Sequence, residues 1–540
     1  MIIQGQIVDV FNRTTFPGEV HVENGRIQKI VKTDSAPQQY IMPGFVDSHV
    51  HIESSMLSPA RFAEMAVKHG TLATVSDPHE ISNVMGVEGL NFMIENSKTV
   101  PLQFFFGAPS CVPATAFETS GANIDAAQIA ELMQRDDVWY LGEMMNFPGV
   151  VFDDPEVHAK INASLAAGKP VDGHAPLLAG DDLRKYAAAG ITTDHECTNI
   201  EEARAKIDLG MKVLIREGSA ARDFDALWPL IDSNPNEVML CTDDCHPDEL
   251  QERHINLLAT KALENGADIY NVLMASAVNP VQHYKLPLGL MREGDSADFI
   301  VVEDLKNFGL IESYMKGERI FANGQAAFKA ESSAHPNRFE RGKITSEAIA
   351  LKAEKSKIKL IEAGDGDLLT RSSIADIKIE NVMAVSDPEH DILKIVVASR
   401  YDNNPPSIGF IRGFNLKQGA LACSIAHDSH NLIAVGVSDE DITRALNLVV
   451  ESKGGLAAVS ENEQVHLPLE IAGLMADAPG EQVAASYKVL NDFAAKNGSK
   501  LKAPYMTMAF MALLVIPELK LGDKGLFDGL KFEFTSLFID

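Results

Sequence analysis

The segment Met42-Pro43-Gly44-Phe45-Val46-Asp47-Ser48-His49-Val50-His51-Ile52-Glu53-Ser54-Ser55-Met56 decides how the rest of the chain is read. It opens on a Pro-Gly turn, continues as an apolar run and reaches two histidines one residue apart. Alternate residues of a strand project to one side, so His49 and His51 share a face. On a barrel strand that face is the interior, and two inward imidazoles at the mouth begin a metal site. A chance His-x-His on a surface strand is the plain alternative. The Pro-Gly turn, Asp47 and the recurrence of ligand-type residues downstream favour the metal.

Working outward, the pattern of apolar run, polar burst and helix-like segment repeats eight times between about residues 42 and 286. The runs end near His49 and His51, Asp77, Ser110, Glu143, His174, His195, Glu217 and Asp243. The first helix is punctuated by Ser58 as N-cap, Pro59 in the first turn and Gly70 beyond the last. Repeated strand-then-helix units predict an α/β protein with a parallel sheet. Eight units predict a closed (β/α)8 TIM-like barrel, 42–286, with its site at the C-terminal strand ends. A doubly wound open sheet is disfavoured because no Gly-x-Gly-x-x-Gly follows the first strand.

Both flanks of the barrel read as β. Residues 1–41 alternate apolar and polar, with a hairpin signal at Asn24-Gly25, and 287–345 hold an apolar run and the turns Lys316-Gly317 and Asn323-Gly324. Together they predict one small β-sandwich domain. Residues 346–540 predict a C-terminal α+β domain. In it Ser346 to Lys359 reads as helical, Leu432-Ile433-Ala434-Val435 as a strand and Asp439 to Ser452 as an amphipathic helix.

A chain of 540 residues exceeds one small core. Its 46% hydrophobic and 23% charged residues are those of a soluble globular protein. The net charge of −29 argues against nucleic acid or anionic membrane as a partner and suits a neutral small substrate. The N-terminus carries no signal-peptide pattern, and no apolar run is long enough to span a bilayer. Five scattered cysteines fit a reducing cytoplasm rather than a disulfide framework.

The strand ends supply six candidate ligands: His49, His51, Glu143, His174, His195 and Asp243. Four imidazoles and two carboxylates are too many for one tetrahedral ion and suit two divalent ions sharing a carboxylate. Nitrogen and oxygen ligation without thiolate fits Zn, Mn or Fe rather than Mg or Ca. Such ions make a bound water acidic near neutral pH, so a bridging hydroxide can attack an electrophilic carbon while a carboxylate moves its proton.

The pattern resembles the amidohydrolase superfamily and, within it, the bacterial adenine deaminases. The matching words are the Pro43–Met56 stretch, Asp77-Pro78-His79-Glu80, Asp172-Gly173-His174-Ala175, Asp194-His195-Glu196, Thr242-Asp243-Asp244 and, far downstream, Ala426-His427-Asp428-Ser429-His430-Asn431. Many superfamily members carry a carboxylated lysine on the fourth strand; this chain has Glu143. The resemblance implies that His49, His51 and Asp243 hold one metal, His174 and His195 the other, and that Glu143 bridges. The cofactor implied is two divalent ions, Mn(2+) or Fe(2+) ahead of Zn(2+). The reaction implied is hydrolytic deamination of adenine to hypoxanthine and ammonia, with water as co-substrate and Asp243 moving the proton. Glu80, Glu196 and Glu217 remain open as the acid for the ring nitrogen. Glu53, Asp77, His79, Ser110, Arg216, Asp428 and His430 are expected to touch the substrate or to orient the ligands. Glu53 is expected to act through a histidine and Glu217 has an ion pair with Arg216 as its alternative. The C-terminal domain is expected to close over the barrel mouth. The protein is expected to be a homo-oligomer such as a dimer. The rival enzyme is a binuclear amidohydrolase acting on a cyclic amide; a non-catalytic scaffold of this fold would have lost the ligands.

Overall fold

The structure, a computed structural model, describes residues 1–219, 221–365 and 368–539. Strands β1 (Ile2–Asp9), β2 (Thr14–Glu23) and β3 (Arg26–Lys32) form an antiparallel meander, and β4 (Tyr40–Met42) adds parallel to β1. Phe45 then opens the barrel. Its strands are β5 (Phe45–Val50), β6 (Thr71–Ser76), β7 (Gln103–Ala108), β8 (Tyr140–Met144), β9 (Val171–Gly173), β10 (Thr193–Asp194), β11 (Lys212–Arg216) and β12 (Val238–Cys241). They run parallel as β5-β6-β7-β8-β9 and β10-β11-β12. The Thr192 N–H donates to the Val171 carbonyl at 2.9 Å between β9 and β10. On the other side Asp243 N–H donates to His49 O at 2.9 Å and His51 N–H to Asp243 O at 3.1 Å, which closes the ring. Most strand residues are buried, because helices cover the outside and side chains fill the inside. After β5 the helix Pro59–Ala66 begins behind Ser58, and its following turn ends at Gly70, whose φ of 78° favours glycine.

After the barrel come β13 (Phe299–Val302), β14 (Leu310–Met315), β15 (Glu318–Ala322) and β16 (Gln325–Ala326). They join the N-terminal strands in one eight-stranded sheet, β16-β15-β14-β13-β4-β1-β2-β3. The sheet curls on itself around Ile7, Val20, Ile41, Phe299 and Val301. Its two hairpin tips meet so closely that a Cβ on Gly25 would lie 3.0 Å from the Lys316 carbonyl.

The C-terminal region is built on a nine-stranded sheet, with helix Asp439–Glu451 burying Leu446 and Val449 against one face. Helices Gly480–Lys496 and Pro504–Phe510 lie on the other, facing the barrel. Met65 of the barrel and Val483 of this region share one hydrophobic core. The contact is tight, since a Cβ on Gly480 would sit 2.5 Å from Met65 Cγ. The helix expected over Ser346 to Lys359 does not form; a 3-10 turn, Ser346–Ile349, leads into short strands Leu351–Lys352 and Lys357–Glu362. Burial of Ile358 and Leu360 at a spacing of two, with pairing to Arg371–Asp376, overrides the helical character of the polar residues. Among the described residues no helix is long and apolar enough to cross a membrane.

Candidate active site

The C-terminal ends of the barrel strands bring all six expected ligands to one buried cluster. His49 lies on β5 and His51 immediately follows it, and their Nε2 atoms are 3.2 Å apart. His51 Nδ1 faces the Asp77 carbonyl at 3.0 Å, so Nδ1 carries the proton and Nε2 presents a lone pair. That lone pair lies 3.3 Å from Glu143 Oε1 and 3.2 Å from Asp243 Oδ1. The other oxygen of Glu143 serves the opposite side. Oε2 lies 2.6 Å from His174 Nδ1 and 3.3 Å from His195 Nε2. The sets His49–His51–Glu143, His49–His195–Asp243 and Glu143–His174–His195 each gather ligand atoms within 4.8 Å of one another. The donors are nitrogen and carboxylate oxygen, converge from different strands and exclude thiolate, so the site fits two divalent cations.

The backbone is shaped for this cluster. Asp77 accepts the Glu143 N–H at 2.8 Å and the His79 N–H at 3.2 Å. Gly142 permits that approach, because a Cβ there would stand 2.3 Å from Asp77 Oδ2. Asp243 sits at φ 57°, a left-handed conformation uncommon outside glycine and tolerated by Asp. Arg216 donates from Nη1 to Asp243 Oδ2 at 2.9 Å, and also binds Glu196 and Asp223. Burial pushes the Asp243 carboxyl up, but the hydrogen bond to His51 and the charge of Arg216 hold it well below its usual value. Burial likewise raises Glu143, and His174 and His195 outweigh it and bring the carboxyl well below the usual range.

Glu80 links barrel and C-terminal region. It is the second residue of the helix His79–Met85, and its Oε1 lies 3.0 Å from His427 Nδ1 and 3.5 Å from His79 Nε2, while Oε2 contacts His430 Nε2. His427 to His430 form the turn between strands Ala420–Ala426 and Asn431–Gly436, and their contacts with Glu80 bring the distant His-Asp-Ser-His word to the barrel mouth. Asp428 lines the cavity, and its Oδ2 is buried without a hydrogen-bond partner. Phe510, Leu513, Val515 and Ile516 complete an apolar wall.

Other expected residues lie close by in supporting positions. The Ser110 hydroxyl donates to the Glu143 carbonyl, and His79 Nδ1 is 3.4 Å from Glu143 Oε1. Two expectations need correction. Glu217 does not face the cavity; Lys261 Nζ holds its Oε1 at 2.5 Å, so its ion pair is with Lys261 and not with Arg216. Glu53 orients no histidine; its Oε1 accepts the Ile81 N–H at 3.1 Å and caps the helix that carries Glu80. Glu217 directly follows β11 and Glu53 lies in the 3-10 turn Ile52–Ser55 after β5, and spacing alone does not reveal which distant group each one meets. The sequence reading did not single out Asp244, His427 or the wall from Phe510 to Ile516 as site residues, although all line the cavity. The apolar run 510–516 has no polar signal of its own, and Asp244 was hidden behind Asp243.

Residues 40–328 match the model of the amidohydrolase family, and residues 367–533 match that of the adenine deaminase C-terminal domain. Among curated proteins, the chain is 54% identical to an adenine deaminase of Methanosarcina mazei, over 99% of each chain. It is 50% identical to an adenine deaminase of Salinibacter ruber, over 100% of this chain and 99% of that one. Among solved structures, a D-hydantoinase (dihydropyrimidinase) from a Thermus species is 15% identical with a TM-score of 0.46, covering 61% of this chain and 97% of that one.

Proposed function

The chain belongs to the amidohydrolase family and, within it, to the adenine deaminases, and from that premise we propose how its own residues carry out the reaction. It hydrolyses adenine to hypoxanthine and ammonia. His49, His51 and Asp243 would hold one divalent ion and His174 and His195 the second, with Glu143 between the two groups. The observation that carries this assignment is the split of Glu143, with Oε1 towards His51 and Oε2 towards His174 and His195. Bound there, the ions supply Lewis acidity and lower the pKa of a water to near neutrality. Mn(2+) or Fe(2+) fits the imidazole and carboxylate donors, with Zn(2+) as a third choice.

Asp243 accepts the proton of the nucleophilic water and passes it towards the departing amine. Arg216 occupies its Oδ2, which keeps the carboxylate charged and leaves Oδ1 on the reacting side. Burial raises the Glu80 carboxyl, but His427, His430 and His79 hold it well below the usual range, so it faces the cavity ionised and passes to the ring nitrogen a proton taken from His427. Glu196 is less suited, because Arg216 engages both of its oxygens. Asp428 offers its unpartnered oxygen to the purine edge. Phe510 and Leu513 shield the site from water, which strengthens every charge interaction inside. The acidic surface and free buried cysteines support a cytoplasmic enzyme, and exposed Phe152 and Leu177 support a homo-oligomer such as a dimer.

The test is ammonia release from adenine by manganese-reconstituted protein, with metal counted by elemental analysis. Two ions per chain and turnover are expected, and His49→Ala with His51→Ala should empty one position. A fully occupied double variant, or a loaded wild type inert towards adenine, would refute the assignment.

A further inference from the structure

Behind the catalytic cavity lies a second, smaller one of about 20 Å³, walled by Met56, Ile425, Leu456, Met506 and Ala509 with a few polar tips. It has room for a water-sized molecule and none for a purine. His427 belongs to the walls of both cavities. Asp244 of the catalytic cavity is hydrogen-bonded to Ser54, which faces the inner one. The inner cavity adjoins in turn a cleft of about 310 Å³ between barrel and C-terminal region, flanked by exposed Arg222 and Lys502. His246 and Tyr487 stand in both walls, joined by a hydrogen bond of 2.9 Å between the Tyr487 hydroxyl and His246 Nδ1.

We propose that these three spaces form a rear passage by which ammonia leaves, and water enters, while the purine still fills the main cavity, with His427 as inner partition and the Tyr487–His246 pair as outer gate. The proposal rests on the deaminase reading. In that reaction a C–O bond forms from water, the C–N bond to the amine breaks, and ammonia departs with the two amine hydrogens and one from water. Each turnover therefore exchanges one small molecule for another of similar size. The apolar middle of the passage favours neutral ammonia over ammonium, whose desolvation is costly. The cleft beyond it presents Asp248, which suits the ammonium formed on contact with solvent, while Glu249 is held by Arg222 and Arg253. The passage also gives a role to Ser54 and Met56, which hold no ligand yet belong to the stretch that carries the two histidines.

The test fills the inner cavity from two independent walls, with Cys423→Val and with Ala509→Val, both positions being buried there. Ammonia release follows the bond-breaking step, so a plug should lower kcat about fivefold or more and leave kcat/KM for adenine unchanged. Rapid quenching should show a burst of hypoxanthine at the wild-type rate. Thermal unfolding identifies which variant is folded, and either folded variant suffices. Unchanged kcat, or kcat and kcat/KM falling together, would overturn the passage while the wild type still deaminates adenine. A loaded wild type that releases no ammonia from adenine would overturn the deaminase reading itself and the passage with it.

Discussion

Replacing His430 by Asn tests whether the C-terminal turn completes the active site. His430 has φ 53°, a left-handed conformation that Asn adopts more readily than Ala, so the substitution removes the imidazole without straining the turn. The imidazole contacts Glu80 Oε2, and both residues are buried. Burial pulls the His430 imidazole down to about 4, so it meets Glu80 as a neutral partner, and losing such a partner of a buried charge costs about 1.5–3 kcal/mol. Glu80 keeps His427 at 3.0 Å, so the lower end applies here. About 1.5 kcal/mol corresponds to a loss of roughly tenfold in kcat/KM if the closed arrangement is the one that reacts. His430 belongs to none of the ligand sets around Glu143, so metal content should stay at the wild-type value. The assay is ammonia release from adenine beside elemental analysis and far-UV circular dichroism on the same preparation. Turnover within twofold of wild type in a folded, fully loaded variant would show that the turn is mere packing.

Asp243→Asn should preserve the fold and lower kcat by about 10²-fold or more, the usual loss of a general acid–base group, and near-normal turnover would remove Asp243 from that role. Glu217→Gln should leave turnover within about threefold and cost about 1 kcal/mol or less in urea unfolding, because Lys261 is 27% exposed; a collapse of kcat would return Glu217 to the chemistry. Lys520 is buried with its Nζ on the Leu368 and Phe510 carbonyls, and burial pulls it down to about 7. The unfolded chain holds that proton up to about pH 10, so between about 7 and 10 it binds more protons than the folded one and stability rises with pH. Relative to Lys520→Met, the wild type should gain up to about 4 kcal/mol across that window, and parallel stability curves would contradict the depressed value.

The sequence by itself determined the barrel and singled out its candidate ligands, because a two-residue period and a repeating strand-then-helix pattern are local properties. His49-Val50-His51 sets two imidazoles one residue apart at the first strand end, and four of the later strand ends each offer one candidate ligand, Glu143, His174, His195 and Asp243. The same local logic fails wherever the outcome depends on which distant group arrives. Ser346 to Lys359 has a polar, helical texture, yet pairing with Arg371–Asp376 makes its second half a strand. Glu217 and Asp243 both end barrel strands, and only the fold shows that Lys261 captures the first while Arg216 and His51 orient the second. The contact between Glu80 and the turn His427–His430, some 350 residues later, leaves no periodic trace in either segment. It exists because two separately patterned layers bury a common core around Met65 and Val483, and that burial brings the turn onto the barrel mouth.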